Sequence, residues 1–484
     1  MNTLRTRSSI YAITLLSFLL LFITACTNEK TLVGSMQGYT LENGSVFSIT
    51  AAPTTWKLEG SDVVLNAFAY NNQIPGPLLK VKQGTTIFIN FTNKIPMNTT
   101  IHWHGLRHKN KDDGVPGVTQ DFVVSGQGYT YELQFPDSGL YWYHPHVRED
   151  IQQEKGLYGA ILVESTEKND AAQEEVLILD DVLIEGTDFS PFSEVTNFAL
   201  MGRFGNILLI NGKTDYTLSV NQCEPLRLYV NNVANVRPFN LSIENTELTI
   251  IGTDLGFIKP YTKNSLVIAP AERYIIDVTF PKPGTYLLIN KNPSKSYVLG
   301  KINVQESNIQ CTPTKNAAPN LPDYTSYLNK KPDYEFRLSL EMPAMEMPHE
   351  EKQPIEWEDT MFELNRVHHN KLITWIIEDT TSKKKNMDLI HEVKLGSVKK
   401  IRIINDKNSE HPMQHPIHLH GQRFLVLVEN GKSNQHLGWK DTVLVPAGST
   451  IDILVEFTNP GDWMMHCHIA EHLESGMMMM FTTR

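Results

Sequence analysis

Short runs of β-branched and aromatic residues recur along the whole chain, and glycine, proline or asparagine separates them every few positions. Few segments show the apolar periodicity of an amphipathic helix. Such runs are typical of strands that bury one face, because successive side chains of a strand point to opposite sides. The pattern therefore predicts an all-β protein made of β-sandwiches.

One strand–turn–strand unit occurs three times along the chain. Its copies end at His146, Lys291 and His468, and in each a strand leads through a Pro/Gly turn into a second strand. An earlier element also recurs, since residues 415–420 match residues 237–242 and, more loosely, the stretch around 102–104. The first and third copies carry histidine pairs where the middle copy has Asn, Ser, Ile and Lys. We therefore expect three copies of one sandwich, of which the middle one is structural.

The repeats set the expected domain boundaries at residues 36–165, 172–312 and 325–484. The acidic stretch after Glu164 and the proline-containing stretch after Cys311 are the expected linkers. Length and composition allow this division, because 484 residues with 41% apolar content are enough for about two to four domains with their own cores.

Net charge limits the classes of partner. The formal charge of -11, from 54 acidic and 43 basic residues, argues against a nucleic-acid partner and mildly favours cationic or neutral small substrates. We expect a monomer.

The first residues have the features of an export signal. Arg5 and Arg7 precede an apolar run over residues 10–22, and Cys26 closes the segment. This ending resembles the lipobox of bacterial lipoproteins, which implies a signal peptide over residues 1–26 and an acylated Cys26 that anchors the protein to a membrane. An uncleaved helical anchor with an incidental cysteine is the alternative, although the run is short for a membrane span. Either way we expect the folded part outside the cytoplasm, on the periplasmic or extracellular face of the membrane.

Three further cysteines have two different expected roles. An oxidising compartment permits a disulfide between Cys223 and Cys311, and two free buried thiols are the alternative, because a sequence does not give their separation. Cys467 lies instead between two histidines and belongs to the pattern described next.

Ten of the 17 histidines lie in four short clusters. Each His-x-His in a strand places both imidazoles on one face, where they can share a metal ion. The clusters are His102-Trp-His104-Gly, His144-Pro-His146, His415-Pro-Ile-His418-Leu-His420-Gly, and His466-Cys467-His468-Ile-Ala-Glu471-His472-Leu-Glu-Ser-Gly-Met477. The other seven are interpreted as ordinary core or surface residues: His108, His349, His368, His369, His391, His411 and His436.

Alternation in the last cluster predicts two metal sites back to back. His466 and His468 face one side of their strand, and Cys467 faces the other. A thiolate, two imidazoles and a weak axial thioether suit a copper ion that cycles between Cu(I) and Cu(II). The remaining eight imidazoles are too many for one copper and fit three. The first set would be Cys467, His415, His472 and Met477.

These four motifs, in this order and spacing, resemble those of the multicopper oxidase family, which includes laccases and bacterial copper- or iron-oxidising enzymes. The resemblance covers nearly the whole mature chain. It implies three consecutive cupredoxin-like Greek-key β-sandwich domains and four copper ions, one of type 1, one of type 2 and two of type 3. It also implies one-electron oxidation of a reducing substrate coupled to reduction of O2 to water.

The resemblance assigns the ligands one by one. His415, Cys467, His472 and Met477 would bind type 1 copper, and His102 and His418 would bind type 2. The type 3 ligands would be His104, His144, His146, His420, His466 and His468. Electrons would enter near His472, which is often the more exposed ligand in relatives, and would pass through Cys467.

Two carboxylates are candidates for moving protons. Asp113 matches the family's aspartate near the type 2 copper, although an Asp-Gly surface turn would look the same. Glu471 could serve likewise or merely orient a ligand. Several relatives carry a carboxylate directly after the last type 1 histidine, whereas this chain has Leu473.

The substrate is the least determined part of the sequence reading. Met342, Met345 and Met347 resemble the Met-rich segments of bacterial cuprous oxidases, and their thioethers suit Cu(I), while a linker whose methionines pack on a sandwich would look the same. Residues 478–480 are three further methionines that we interpret as core. We favour oxidation of Cu(I) or another metal ion, with a laccase acting on phenols as the alternative. A copper-sequestering or scaffold protein without turnover would be expected to lack ligands, and here none is missing.

Overall fold

The computed structural model describes residues 36–58, 63–166, 173–311, 321, 323–343 and 353–484. The expected lipid attachment at Cys26 and two of the three candidate methionines, Met345 and Met347, lie outside the described residues. Strands dominate the described part, as the hydrophobic pattern predicts. No helix in these ranges is long and apolar enough to cross a membrane.

The first sandwich comprises nine strands. They are β1 (Gly38–Thr40), β2 (Val46–Lys57), β3 (Val64–Tyr70), β4 (Leu78–Lys82), β5 (Thr86–Asn93), β6 (His102–His104), β7 (Gly128–Gln134), β8 (Gly139–His144) and β9 (Gly159–Glu164). One sheet has the order β3-β2-β5-β7 and the other β1-β4-β9-β8-β6. Apolar residues of both sheets, Ile89 and Trp103 among them, are fully buried between the two.

The middle sandwich begins after the first expected linker. Its strands are β10 (Gln173–Val182), β11 (Ile184–Glu185), β12 (Asp188–Phe189), β13 (Ile207–Ile210), β14 (Tyr216–Asn221), β15 (Leu226–Asn232), β16 (Phe239–Ile243), β17 (Leu248–Thr253), β18 (Gly256–Lys263), β19 (Leu266–Ile268), β20 (Arg273–Val278), β21 (Gly284–Lys291) and β22 (Ser296–Gln305). The two large sheets have the orders β13-β10-β15-β20-β17-β18 and β14-β22-β21-β16-β19. A disulfide joins Cys223 to Cys311, which settles the alternative that the sequence left open.

The third sandwich completes the chain. Its strands are β23 (Tyr334–Glu341), β24 (Thr374–Asp379), β25 (Ile390–Val393), β26 (Ser397–Asn405), β27 (His415–Leu419), β28 (Arg423–Glu429), β29 (Lys432–Ser433), β30 (Trp439–Lys440), β31 (Thr442–Val445), β32 (Thr450–Phe457), β33 (Gly461–Cys467) and β34 (Met478–Thr483). One sheet has the order β24-β23-β26-β32-β28-β29, with β30 paired to β28, and the other β25-β34-β33-β27-β31. Met479 and Met480 are buried and Met478 is half-buried, in line with their interpretation as core.

Helices are few and short. They are α1 (Glu149–Gln152), α2 (Thr325–Leu328), α3 (Phe362–Val367) and α4 (Ala470–Glu474), with 3-10 turns at Asn110–Asp112 and Asn386–Asp388. The domain boundaries themselves stay predictions, although each predicted range contains the strands of its own pair of sheets.

Strand register brings the histidine clusters together. In the third sandwich β27 pairs with β33, so that His418 lies opposite His466 and Ile417 opposite Cys467. In the first sandwich β6 pairs with β8, and His102 lies opposite His144. In each sandwich the histidines thus lie on two neighbouring, hydrogen-bonded strands. This pairing holds the backbone of the histidines rigidly.

The middle sandwich fills the matching positions with other polar groups. Arg237, which aligns with His415, forms buried ion pairs with Asp181 at 2.6 Å and with Glu358 at 2.9 Å. Asn290, which aligns with Cys467, accepts the backbone N–H of Asn240. Within the described ranges, no group of ligand atoms close enough to hold a metal includes a residue of the middle sandwich.

Candidate metal centres

Eight buried imidazoles converge between the first and third sandwiches. His102 and His104 come from β6, and His144 and His146 from the end of β8 and the residues after it. The third sandwich contributes the others from β27, β33 and the residues after each strand. The ligand atoms of three sets lie within 4.8 Å of one another: His104, His144 and His468; His146, His420 and His466; and His102, His104 and His418.

Hydrogen bonds determine which nitrogen of each ring faces the cluster. Nδ1 of His102 donates to the carbonyl of Asp113 at 2.8 Å, and Nδ1 of His418 donates to the carbonyl of Asp441 at 2.9 Å. The opposite nitrogen then faces the cluster. Five rings have an Nε2 without a hydrogen-bond partner among the described residues: His102, His144, His146, His418 and His468.

The remaining three rings complete the cluster. Nε2 of His420 lies 2.9 Å from Nε2 of His466, so that two nitrogens face each other directly. His104 is reversed, because its Nε2 is bonded to Asp441 at 3.0 Å and its Nδ1 is the nitrogen left without a partner in the described part of the chain. Buried polar atoms are normally satisfied. Eight inward nitrogens therefore fit a set of metal ions.

Burial also keeps these rings in the form that binds metal. Desolvation, followed by the neighbouring imidazoles, lowers the pKa of His144 well below its usual range. For His146 the same causes lower the pKa to about 3. Neutral imidazole is the metal-binding form, so no proton has to be displaced at neutral pH.

Asp113 lies where the sequence places a proton carrier. Its Oδ2 accepts a hydrogen bond from Nδ1 of His420 at 2.8 Å, and its Oδ1 lies 3.4 Å from both Nδ1 of His102 and Nε2 of His108. Burial would raise the pKa of this carboxyl, but His420 and His102 outweigh that effect and hold the pKa well below its usual range. Asp113 is therefore a buried carboxylate that fixes two rings of the cluster.

A second, smaller centre lies on the other face of β33. Sγ of Cys467 lies 3.5 Å from Nδ1 of His415 and 3.7 Å from Nδ1 of His472, and the two Nδ1 atoms are 3.3 Å apart. Met477 is fully buried in the same apolar cluster. Burial raises the pKa of the Cys467 thiol far above neutrality, so that a thiolate here needs a bound cation. The three ligand atoms fit a single soft metal ion.

His472, near which electrons are expected to enter, is covered by other parts of the chain. Its ring is fully buried and stacks on Trp375 at a centroid distance of 4.1 Å. Nε1 of Trp375 donates to the carbonyl of Ala199, and Met201 belongs to the same buried cluster. The cover comes from a segment between β12 and β13 that is distant in sequence.

Two further buried carboxyls, besides Asp113, lie close to the ligand residues. Glu471 is fully buried, and desolvation raises its pKa to about 8. Leu473 packs on Val115 and leaves no carboxylate at that position. The sequence reading missed Glu149, whose carboxylate lies 3.5 Å from Nδ1 of His146 and whose pKa burial raises. The only signal in the sequence was that Glu149 follows the ligand His146 by three residues, and the structure places it at the start of α1.

Comparisons with known proteins agree with this geometry. Three family models, each described as multicopper oxidase, match residues 51–168, 142–310 and 319–484. The chain is 27% identical over 430 residues to a multicopper oxidase of Staphylococcus aureus, covering 85% of this chain and 83% of that protein. It is 25% identical over 470 residues to Laccase-2 of Botryotinia fuckeliana, covering 86% and 78%.

A solved structure extends the likeness to three dimensions. The multicopper oxidase of Campylobacter jejuni, described as a metallo-oxidase, superposes with a TM-score of 0.70 at 25% identity, covering 92% of this chain and 95% of that one. Proteins of this family bind four coppers of types 1, 2 and 3, and the two ligand clusters here are consistent with those sites. Since the matched segments together span most of the sequence, the chain belongs to the multicopper oxidase family.

Proposed function

We propose that the eight-imidazole cluster holds the type 2 copper and the type 3 pair, and that Cys467, His415, His472 and Met477 hold the type 1 copper. The grouping of ligand atoms supports this, because His104, His144 and His468 would hold one type 3 ion and His146, His420 and His466 would hold the other. His102 and His418 are left for type 2. Bound copper supplies one-electron transfer at the small centre and four-electron reduction of O2 at the large one.

The chain's own residues connect the two centres. Cys467 is covalently joined on one side to His466 and on the other to His468, and these two rings belong to opposite type 3 sets. Nδ1 of His466 also donates to the carbonyl of Cys467 at 2.9 Å. An electron that reaches the thiolate therefore has a short path of bonds to either side of the large cluster.

Protons must accompany these electrons. We propose that Asp113 accepts and releases protons at its Oδ1, which faces the ring nitrogens of His102 and His108. Glu149 and Glu471 are two further buried carboxyls, and desolvation raises the pKa of both, to about 8 for Glu471. Glu149 can hold a proton beside His146, and Glu471 can hold one next to His472, in place of the carboxylate that Leu473 does not provide.

We propose Cu(I) as the favoured substrate. Half-buried Met342 and Met361 pack on the same apolar cluster that contains Met201, Met477 and Cys467. Thioether sulfur suits a soft monovalent cation, and the cover over His472 disfavours direct contact with a phenol ring. The likeness to a metallo-oxidase supports this substrate, and the likeness to a laccase supports the alternative.

The cellular location is also a proposal. The lipobox-like ending at Cys26 supports export and anchoring to the outer face of a membrane, and the Cys223–Cys311 disulfide suits an oxidising compartment. A monomer remains our expectation.

Oxygen uptake by the copper-loaded fragment that begins after Cys26 tests the substrate. Cu(I), Fe(II) and 2,6-dimethoxyphenol are compared for the wild type and for variants with Met342, Met345, Met347 and Met361 changed to Leu. We expect Cu(I) turnover to be fastest and to fall in the variants, while Met97→Leu in the first sandwich leaves it unchanged. If phenol turnover exceeds Cu(I) turnover and is the same in the methionine variants as in the wild type, the protein is a laccase.

A further inference from the structure

One arginine of the middle sandwich touches all three sandwiches beside the large cluster. Arg273 opens β20 and is fully buried. Its Nε donates to the carbonyl of Leu140 in β8 at 2.9 Å, and its Nη1 donates to Oδ1 of Asp441 in the third sandwich at 2.7 Å. Its Nη2 bonds to Oδ2 of the same carboxylate. The guanidinium is therefore fixed in a planar, two-point contact with Asp441.

Asp441 transmits this contact to two imidazoles. Its Oδ1 accepts the Nε2 proton of His104 at 3.0 Å, and its backbone carbonyl accepts the Nδ1 proton of His418 at 2.9 Å. The hydroxyl of Thr442 lies 3.1 Å and 3.2 Å from the same two ring nitrogens and donates to Oδ1 of Asp441. Asp254 of the middle sandwich in turn accepts the backbone N–H groups of Asp441 and Thr442.

The backbone after His104 is shaped to admit this pair. Gly105 has a φ of +88°, and a Cβ there would come within 2.5 Å of Oδ2 of Asp441 and 2.7 Å of Nη2 of Arg273. Any larger residue would push the carboxylate or the guanidinium away from the ring. The steric limit at Gly105 therefore explains why the His-Trp-His-Gly motif ends in glycine.

We propose that Arg273 and Asp441 are positioning residues, which select the Nδ1 of His104 as its metal-facing nitrogen and hold His418 beside it. Of the eight described rings, His104 alone turns Nδ1 inward, and it alone donates Nε2–H to a carboxylate held by a buried arginine. The ligand-free sandwich thus takes part in building the copper cluster. The inference rests on the proposed role of His104 as a copper ligand.

A general stabilising role is the competing explanation, and the chain contains a matched control. Arg227 and Asp277 form a second buried pair in the middle sandwich, with contacts of 2.7 and 2.9 Å, between β15 and β20. This pair is also a two-point contact, made through Nε and Nη2 of Arg227, and it includes no metal-ligating histidine. Loss of either pair removes a buried ion pair, but only loss of the first would alter a copper ligand.

The test compares Asp441→Asn and Arg273→Lys with Asp277→Asn and Arg227→Lys. Bound copper is counted per chain, the type 2 electron paramagnetic resonance signal is recorded, and the metal-free proteins are labelled with ¹⁵N-histidine to read the tautomer of His104, assigned with His104→Gln. We expect the first pair of variants to lower the copper affinity of the large cluster by about 10- to 100-fold and to lose the Nε2–H form of His104. The blue type 1 absorption stays, and the control pair keeps full copper.

Two outcomes would overturn the inference: unchanged copper content and His104 tautomer in both test variants, or equal copper loss in the controls. Should Asp441→Asn fail to fold, Arg273→Lys keeps the charge and carries the comparison. Full copper binding by His104→Gln would instead remove the ligand assignment on which the inference rests.

Discussion

Acid should destabilise the metal-free protein through its buried imidazoles. Burial lowers the pKa of both His146 and His415 to about 3, whereas an imidazole in the unfolded chain titrates near about 6.5. The unfolded chain therefore binds more protons as the pH falls below about 6.5. The stability contributed by each neutral ring is fully present above that pH and is lost progressively down to about pH 3.

The expected size follows from the distance between the two pKa values. At pH 5 the pH lies about 1.5 units below the pKa of the unfolded ring, so that protonation stabilises the unfolded chain by about 2 kcal/mol per ring. The folded ring, whose pKa lies below pH 5, stays neutral and gains no such stabilisation. For His146 and His415 together, the free energy of unfolding should therefore fall by about 4 kcal/mol between pH 8 and pH 5. This is a large part of the stability of an ordinary protein.

Urea titrations of the copper-free protein at pH 8 and pH 5, followed by tryptophan fluorescence, measure this difference. His146→Gln should reduce the pH-dependent loss by about 2 kcal/mol, because glutamine does not titrate. His436→Gln is the control, because this ring is exposed and its pKa is lowered without the full burial of His146, so that the variant should reduce the loss by less than His146→Gln does. Equal stability at the two pH values, or a loss in His146→Gln as large as in the wild type, would refute the reasoning.

Three further perturbations have definite expected outcomes. Cys467→Ser should abolish the blue absorption and substrate oxidation while about three coppers stay bound, and loss of all copper would contradict the division into two centres. Removing the Cys223–Cys311 disulfide, which spans 88 residues, should lower the free energy of unfolding by about 4 to 5 kcal/mol in a urea titration, and an unchanged midpoint would contradict this. Glu149→Gln should slow O2 reduction by about 100-fold with full copper content, since it removes a proton donor beside His146, and unchanged turnover would exclude Glu149 from proton delivery.

Much of the copper site could be read from sequence because its ligands come in short local patterns. The alternation of His466, Cys467 and His468 depends only on the two-residue period of a strand, and the structure places the thiol and the two rings as that period requires. The three sandwiches could be predicted because each repeat is also a local pattern of strand, turn and strand. Local periodicity fixes which face a side chain takes before any tertiary contact is known.

What the sequence could not give depends on contacts between distant segments. The cover over His472 joins Ala199 to Trp375 across 176 residues, and Asp441 reaches His104 across 337. No periodic pattern encodes such pairs, and neither Asp441 nor Arg273 belongs to a histidine cluster. The disulfide was ambiguous for the same reason, because pairing depends on the separation of two Cα atoms.

These distant contacts give the middle sandwich two functions that its lack of ligands conceals. Its segment between β12 and β13 packs Ala199 and Met201 over the small centre, and its β20 places Arg273 beside the large one. A metal cluster built between the first and third sandwiches needs their relative position held within a fraction of an ångström, since ligand distances tolerate little error. Arg273 bonds to the backbone of the first sandwich and to a carboxylate of the third, so it fixes both partners directly. The middle copy, which contributes no residue to the described ligand groups, therefore still shapes both centres through the surfaces that face its neighbours.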